Sequence, residues 1–420
     1  MRRPNRRPNY TEMEDITNWE GIPAYVIHID GTNIIAVDEN TGKEISRSTD
    51  FHTVFTAVHT AATAGDSIFI KRGTYAYSTQ LEITKVINII GESKYYTYLD
   101  YGGGANAAIH IDATTGHLHN MRFANFRIDA NDQIGIHVET ADPYAFAHSL
   151  FENLYITHVL DGIYLESDTL GNCYRNTIRD IFLNDVITGG HAFYDKGSPF
   201  NTWSNLEATD VHADGWGLYI TGSNNHAINI STDGRIRTDG QNMLLENITV
   251  EAFIPSGGGD YVFRIAGANS TLISCAIIES TGGNLYGFMF YNDYHTCINC
   301  RCYGTDLPIY AFHPSNTSIG VAINCYGGGN WNDAFGDGTW RYFNCGVVQE
   351  NRGVTGAVAD GGTFAHGLGG TPIWCVVTGS VAQEHIYVSA LGAANVTVGI
   401  KADGGGAGTA QVLYWIAGID

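Results

Sequence analysis

TCINCRCYG, residues 296–304, places Cys297, Cys300 and Cys302 within six residues. Thiols this close raise zinc binding, redox chemistry or neither, and the choice decides how the chain is read. Aligning the stretch with the rest of the sequence answers it. Asn299 heads NCRCY, and a like anchor recurs as Asn125 in NFRID, Asn153 in NLYIT, Asp180 in DIFLN, Asn205 in NLEAT, Asn247 in NITVE, Ser274 in SCAII, Asn324 in NCYGG and Asn344 in NCGVV. The anchors stand 28, 27, 25, 42, 27, 25, 25 and 20 residues apart. Most spacings lie near one period. The gap of 42 is either one coil with a long loop or two unequal coils.

The first residue after each anchor is Phe126, Leu154, Ile181, Leu206, Ile248, Cys275, Cys300, Cys325 or Cys345. The third is Ile128, Ile156, Leu183, Ala208, Val250, Ile277, Cys302, Gly327 or Val347. Residues two apart on a strand share a face, so both columns point inward. A short strand recurring every two dozen residues and stacked on its copies is a parallel β-solenoid. The polar anchor marks the bend before the strand, since Asn tolerates the left-handed conformation. Cys275, Cys300, Cys325 and Cys345 therefore form one interior column of small apolar fillers. A column spaces its members along an axis, whereas zinc needs four converging ligands. Stacked strands are close enough that a disulfide between coils stays open. Cys173, Cys297 and Cys375 have no evident partners.

Composition agrees with an all-β chain. Among 420 residues there are 51 glycines, 9 prolines and 15% charged residues, with few strong helix formers. The net charge of −21 and the lack of a basic face argue against nucleic-acid binding. The one basic cluster, Arg2, Arg3, Arg6 and Arg7, has no apolar stretch after it, so it is not a secretory signal. It reads as a flexible tail or as an attachment segment. No apolar run is long enough to insert in a membrane.

Upstream of the repeats, AYVIHI and NIIAVD flank DGTN, a hairpin signal. Asp50 caps a helix that carries Phe51, Val54, Phe55, Val58, Ala61 and Ala62 at helical spacing. Then come DSIFIKRGTYAYS and LEITKVINIIGES, read as strands and turns. After Gly353, short strands alternate with Gly-rich turns. The chain divides into an arm (1–22), a hairpin, capping helix and first coils (23–110), the solenoid (111–352) and a β-sandwich-like module (353–420).

Asp50-Phe51 with its helix, GDSIFIKRGTYAYS and INIIGES resemble the opening module of pectate-lyase-like parallel β-helix proteins, many of them viral or prophage tailspikes. ADGGTFAHGLGGTPIW is similar to C-terminal modules of viral spike and fibre proteins. The resemblance implies a right-handed, single-stranded parallel β-helix, a homotrimer, and a place on a virion or outside the cell. It does not imply pectate cleavage: the acidic pairs, NTD and GHG of polygalacturonases are missing, and Asp129, Asp132 and Asp161 do not form the calcium cluster of pectate lyases. His366 in AHGL reads as a turn residue.

Chemistry is left to outward groups. If the anchors Asn205 and Asn247 mark adjacent coils, Glu207 and Glu251 lie about 8 Å apart, within the roughly 6.5–9.5 Å of an inverting glycosidase pair. An extra coil in the 42-residue gap takes them beyond it. Asp210 joins them as a candidate catalytic group. Trp203, His212, Asp214, Trp216, Tyr291 and Tyr294 are candidate glycan contacts, aromatic faces being suited to sugar rings. Each has an ordinary alternative as a solvated carboxylate or a packed loop residue. No cofactor or metal is expected. The expected function is a virion spike or fibre that recognises a cell-surface glycan, with the N-terminal arm as its attachment to the virion. The alternatives are a depolymerase of the same shape, a hydrolase before a lyase, and a structural surface protein.

Overall fold

The computed structural model describes residues 23–418 except 105, 169–170, 213, 252–260, 279–285, 304–309, 315–317, 328–339, 344, 346–350, 366–373, 380–383, 393–394 and 403–409. The arginine-rich arm, Asn344 and His366 lie outside the described residues.

The chain first builds a lid. Strands Tyr25–Asp30 and Asn33–Asp38 pair antiparallel across a turn in which Gly31 has φ of 63°, and Lys43–Ser48 adds a third strand. Asp50 caps the helix Phe51–Ala61 by accepting the Thr53 N–H at 2.9 Å. The helix buries Phe51, Val54, Phe55 and Val58, and the Phe51 ring packs 5.1 Å from that of Tyr75. Its last carbonyls would be left without donors. Lys85 Nζ supplies them, reaching His59, Thr60 and Ala62 at 2.7, 3.1 and 3.1 Å. Tyr25–Asp30 pairs parallel with Ser67–Ile70, so the hairpin covers the first open edge of the coils.

The rest, up to about residue 343, is a right-handed parallel β-helix. Each coil contributes strand segments to three lines. In the first line the inward column runs Ile68, Ile89, Phe123, Phe151, Ile178, Trp203, Ala227, Leu245, Leu272, Cys297, Ala322. In the second it runs Tyr75, Leu99, Ile128, Ile156, Leu183, Ala208, Thr232, Val250, Ile277, Cys302, Gly327. Size is traded within a column: the large Trp203 is followed by the small Ala227, which keeps the interior filled at constant width.

The 42-residue gap holds two coils. Asn229 lies between Asn205 and Asn247 and is bonded to both: Asn229 Nδ2 donates to Asn205 Oδ1 at 3.0 Å, and Asn247 Nδ2 to Asn229 Oδ1 at 3.1 Å. The same amide bond links Asn153 to Asn125 at 2.8 Å and Asn205 to Asp180 at 2.9 Å. Every described anchor from Asn125 to Asn324 has φ between 51° and 63°, the left-handed bend expected of it.

The cysteines line the interior. Cys275, Cys300 and Cys325 are buried and repeat one geometry. Each Sγ–H donates to the carbonyl two residues back and to one on the preceding coil: Ile273 and Leu245 at 3.7 and 3.4 Å, Ile298 and Leu272 at 3.6 and 3.7 Å, Ile323 and Cys297 at 3.5 Å each. Cys345 is partly buried against the same core. All eight cysteines are free thiols.

The C-terminal strands form two antiparallel sheets, with Gln411–Gly418 central in one and Asn395–Ala402 in the other. Val358, Phe364, Val396, Val398, Ile400 and Leu413 make their separate core. The strand Asn351–Val358 straddles the boundary drawn at 353.

One interior carboxylate breaks the apolar pattern. Asp195 takes an inward position between Leu165 and Ile220 and is fully buried. It accepts the Ser198 N–H at 2.8 Å and the Asn201 Nδ2 at 3.2 Å. Asn201 belongs to a buried ladder in which Ser149, Asn176 and Asn201 each give a backbone N–H to the next side-chain carbonyl, at 3.0, 2.8 and 2.6 Å. Burial pushes the Asp195 carboxyl up from 3.8 to about 7, against the pull of these donors.

Two outcomes are expected. Native protein treated with a maleimide should gain label only at Cys345 and Cys375, and at all eight thiols once unfolded. Burial holds the Cys302 thiol at about 12, where almost no thiolate exists. Fast native labelling at Cys275 or Cys300, read by peptide mass, would remove the interior column. For Asp195, the unfolded chain loses its proton near pH 4 and the folded chain near 7, so stability falls as pH rises through that window and then levels. Asp195→Asn should therefore gain melting temperature over wild type from pH 4 to 7, by up to roughly 4 kcal/mol of stability. Parallel curves would contradict this.

Candidate functional site

The third line of strands carries the densest set of outward polar and aromatic groups. It comprises Leu81–Ile83, Ala107–Ala113, the later parts of Arg127–Thr140, Tyr155–Glu166 and Thr177–Lys196, then Trp216–Ile220, Arg235–Thr238, Tyr261–Ile265, Tyr286–Phe290 and Tyr310–Pro314. Inward, it buries Ile109, Ile136, Ile163, Phe193, Leu218, Ile236, Phe263 and Phe288. Period-two alternation sends the neighbours of these residues outward.

The outward middle column is His110, His137, Tyr164, Tyr194, Tyr219, Arg237, Arg264. Because the coils are in register, the rings stack. Centroids are 5.1 Å apart for His110 and His137, 4.7 Å for His137 and Tyr164, 4.7 Å for Tyr164 and Tyr194, and 5.1 Å for Tyr194 and Tyr219. The Arg237 guanidinium closes the stack 4.6 Å from the Tyr219 centroid. Each ring face is covered by the next ring, so the wall presents ring edges, phenol hydroxyls and imidazole nitrogens.

Two columns flank this stack. On one side Asp161, His191, Trp216 and Arg235 follow one another by register. Asp161 is buried, and its Oδ1 accepts both the backbone N–H and the Nδ1–H of His191, at 3.0 and 2.6 Å. The His191 ring packs 4.4 Å from Tyr194, and Arg235 covers Trp216 at 4.3 Å. On the other side stand Asp112, Glu139, Glu166 and Lys196. His110 bonds Glu82 at 2.7 Å and Glu139 at 3.2 Å, and His137 bonds Glu166 at 3.0 Å. Partial burial works against ionisation of Glu166, but Lys196 at 2.5 Å and His137 outweigh it and keep the carboxyl below its usual range. Burial, then the nearby His110, lowers His137, so its ring is neutral and donates Nε2–H. Burial raises Tyr164 and Tyr194, and raises Tyr219 to about 12, which keeps these phenols as O–H donors.

The residues singled out from sequence are dispersed. Trp203 is a correction: it is completely buried in the first inward column, edge-on to Phe193, and no ligand reaches it. Its position two residues before the anchor Asn205 is an inward one, paired with Ile178 on the coil before. Glu207 and Glu251 are exposed but not on adjacent coils. Glu207 stands over Ser231, which stands over Thr249, and Glu251 is two residues further on. Two coils and two residues amount to about 12 Å, beyond the glycosidase range. Glu207 also belongs to the second strand line, whereas Trp216 belongs to the third. Asp210, His212 and Asp214 lie at the bend between them. Asp210 has left-handed φ, and its N–H bonds Asp233. Trp216 does join the wall, packed 5.7 Å from Tyr219, and Tyr291 lies under Arg264 at 4.8 Å. Tyr294 is 65% exposed at a left-handed bend.

The stacked groups went unnoticed in sequence although a signal exists. Tyr164, Tyr194 and Tyr219 sit in GIYL, AFYD and GLYI, spaced 30 and 25 residues apart. This second periodic column follows loops of variable length, which blurs the period. Among the described residues no group of three His, Cys, Asp or Glu is placed to hold a metal ion, and no helix is long and apolar enough to cross a membrane.

No family model matches the chain, and no curated protein does. Solved structures do. ORF18 of Geobacillus virus E2 aligns at TM-score 0.47 and 12% identity, over 88% of this chain and 83% of its own. An alginate lyase from Paenibacillus sp. str. FPU-7 aligns at 0.45 and 14%, over 70% and 97%. A mutant DFA-IIIase from Arthrobacter chlorophenolicus A6 aligns at 0.49 and 13%, over 66% and 91%. At these identities the likeness is one of backbone course. By its own strand register the chain is a parallel β-helix.

Proposed function

We propose that the protein binds an extended glycan along the wall of the third strand line, as a spike- or fibre-type β-helix protein of a virus. The observation that carries this reading is the run Tyr164–Tyr194–Tyr219–Arg237. It places a hydroxyl or guanidinium on each of four successive coils, about 4.8 Å apart. A repeating ligand lying along the axis meets a phenol oxygen or a guanidinium at each step, close to the length of one pyranose unit, with Tyr219 and Arg237 both tied to Asp239. Recognition is through edges and hydrogen bonds, because the ring faces are already covered. Half-burial of the tyrosines fixes their rotamers in advance and lowers the entropic cost of binding. Phe200 and Tyr294, exposed at the bends, offer open aromatic faces beside the coils.

The stack would also stabilise neighbouring coils with no ligand at all, so the test separates the two roles. Affinity electrophoresis through gels of bacterial capsular and wall polysaccharides should retard the wild type on at least one. Tyr194→Ala and Arg237→Ala should weaken that retention about 30-fold each, the size expected of central contacts. Phe182→Ala, on the outward side of the second strand line, should leave it unchanged. Retention lost equally in all three, or absent in the wild type, would make the wall purely structural. Virion attachment through residues 1–22 and assembly in threes belong to the same reading. Sedimentation at three times the 45.6 kDa chain mass, with antibody labelling of particle tips, checks them.

A further inference from the structure

We propose that His191 is a general base on this wall, aimed by Asp161, and that it hydrolyses an acyl ester carried by the bound glycan. The inference rests on the reading of this face as a glycan-binding wall. The geometry is that of an oriented imidazole. Asp161 is buried on the preceding coil, and a carboxylate only accepts, so the 2.6 Å contact fixes the proton on Nδ1 of His191. The same carboxylate oxygen holds the backbone N–H of His191, so ring and main chain are anchored at one point. Nε2 is thereby left with its lone pair. The side chain is 17% exposed, with its ring against Tyr194.

The surrounding groups select the reaction. Cleaving a glycosidic bond by hydrolysis calls for a protonated carboxyl beside the leaving oxygen. Glu166 is held ionised by Lys196 and His137, and Asp239 is bound by Arg237 at 2.8 Å. Neither serves as that acid. A carbonyl needs only a base for water and a donor for the oxyanion, and this patch sets His191 against the Tyr194 phenol. Nε2 takes a proton from water as the water oxygen bonds to the ester carbonyl carbon. The carbonyl π pair moves onto oxygen, where the neutral Tyr194 hydroxyl, on the ring packed 4.4 Å from that of His191, offers stabilisation. Collapse restores the carbonyl and breaks the bond to the sugar oxygen, which takes the proton back from the imidazolium. Ester and water become carboxylic acid and sugar hydroxyl, with no cofactor. His191 is the catalytic residue and Asp161 a positioning residue.

The test uses the full chain and 4-nitrophenyl acetate. Wild type should release nitrophenol at least about 100-fold faster than His191→Gln, the usual contribution of a positioned base. The other histidines are common to both proteins and cancel. Asp161→Asn, which keeps the side-chain shape, should lower kcat with KM unchanged. A merely structural role would move melting temperature instead, so thermal melts accompany each variant. Equal rates in wild type and His191→Gln would overturn the proposal. So would release of reducing ends or of products absorbing near 235 nm from the retained polysaccharide, if lost in His191→Gln. Retention of that polysaccharide by His191→Gln shows that the binding reading stands even where the ester reading fails.

Discussion

The bend before each strand of the second line is the constraint on which the rest depends. From Asn125 to Asn324 each described coil turns at the same place, through one residue in the left-handed conformation, which costs a side-chain-bearing residue roughly 1–2 kcal/mol. Asparagine lowers that cost by bonding locally, and here it gains a second use. Its amide donates to the anchor on the coil before, so Asn125 with Asn153, and Asp180, Asn205, Asn229 and Asn247 together, form lines of hydrogen bonds along the axis. A coil that slipped by one residue would lose its amide bond and turn its apolar column to solvent. Bend, ladder and core therefore enforce one register.

Register makes the wall. Once coils are aligned, any outward position becomes a column whose members are one strand spacing apart. Aromatic rings in such a column meet face to face, and each pair adds about 0.5–1.5 kcal/mol beyond its buried area. The column His110 to Tyr219 therefore stabilises the helix and orders a row of polar edges at once. These roles draw on different parts of the same ring: the faces hold the coils, and the phenol oxygens edge the wall, that of Tyr219 donating to Asp239 at 3.2 Å. The carboxylates nearby are mostly engaged with His137, Lys196 and Arg237, so local charge is balanced in a chain of strongly negative net charge.

The solenoid, its period, the lid helix capped by Asp50 and the interior cysteine column were legible in the chain, because each depends on residues near one another or on a short repeat. Apolar residues two apart show a strand face, and Asn at a fixed offset shows the bend. Trp203 was misplaced because a large aromatic between Asn201 and Asn205 looks like loop sequence. Only its place two before an anchor, opposite Ile178 and Ala227, shows that it is interior. Asn229 carries the expected Ile230 after it, but the third residue on, Thr232, faces the core where the pattern calls for an apolar side chain, and this hides the coil.

The sequence by itself determined that the backbone coils, where most coils bend and which residues after those bends fill the interior, since these follow from local stereochemistry and period-two burial. Which outward side chains meet was decided by the tertiary structure alone. Loops of unequal length separate Asp161 from His191 and Glu207 from Glu251, and a loop hides the number of coils between two residues. Contact along the axis depends on that number, so one pair is joined by a 2.6 Å hydrogen bond while the other stands two coils apart.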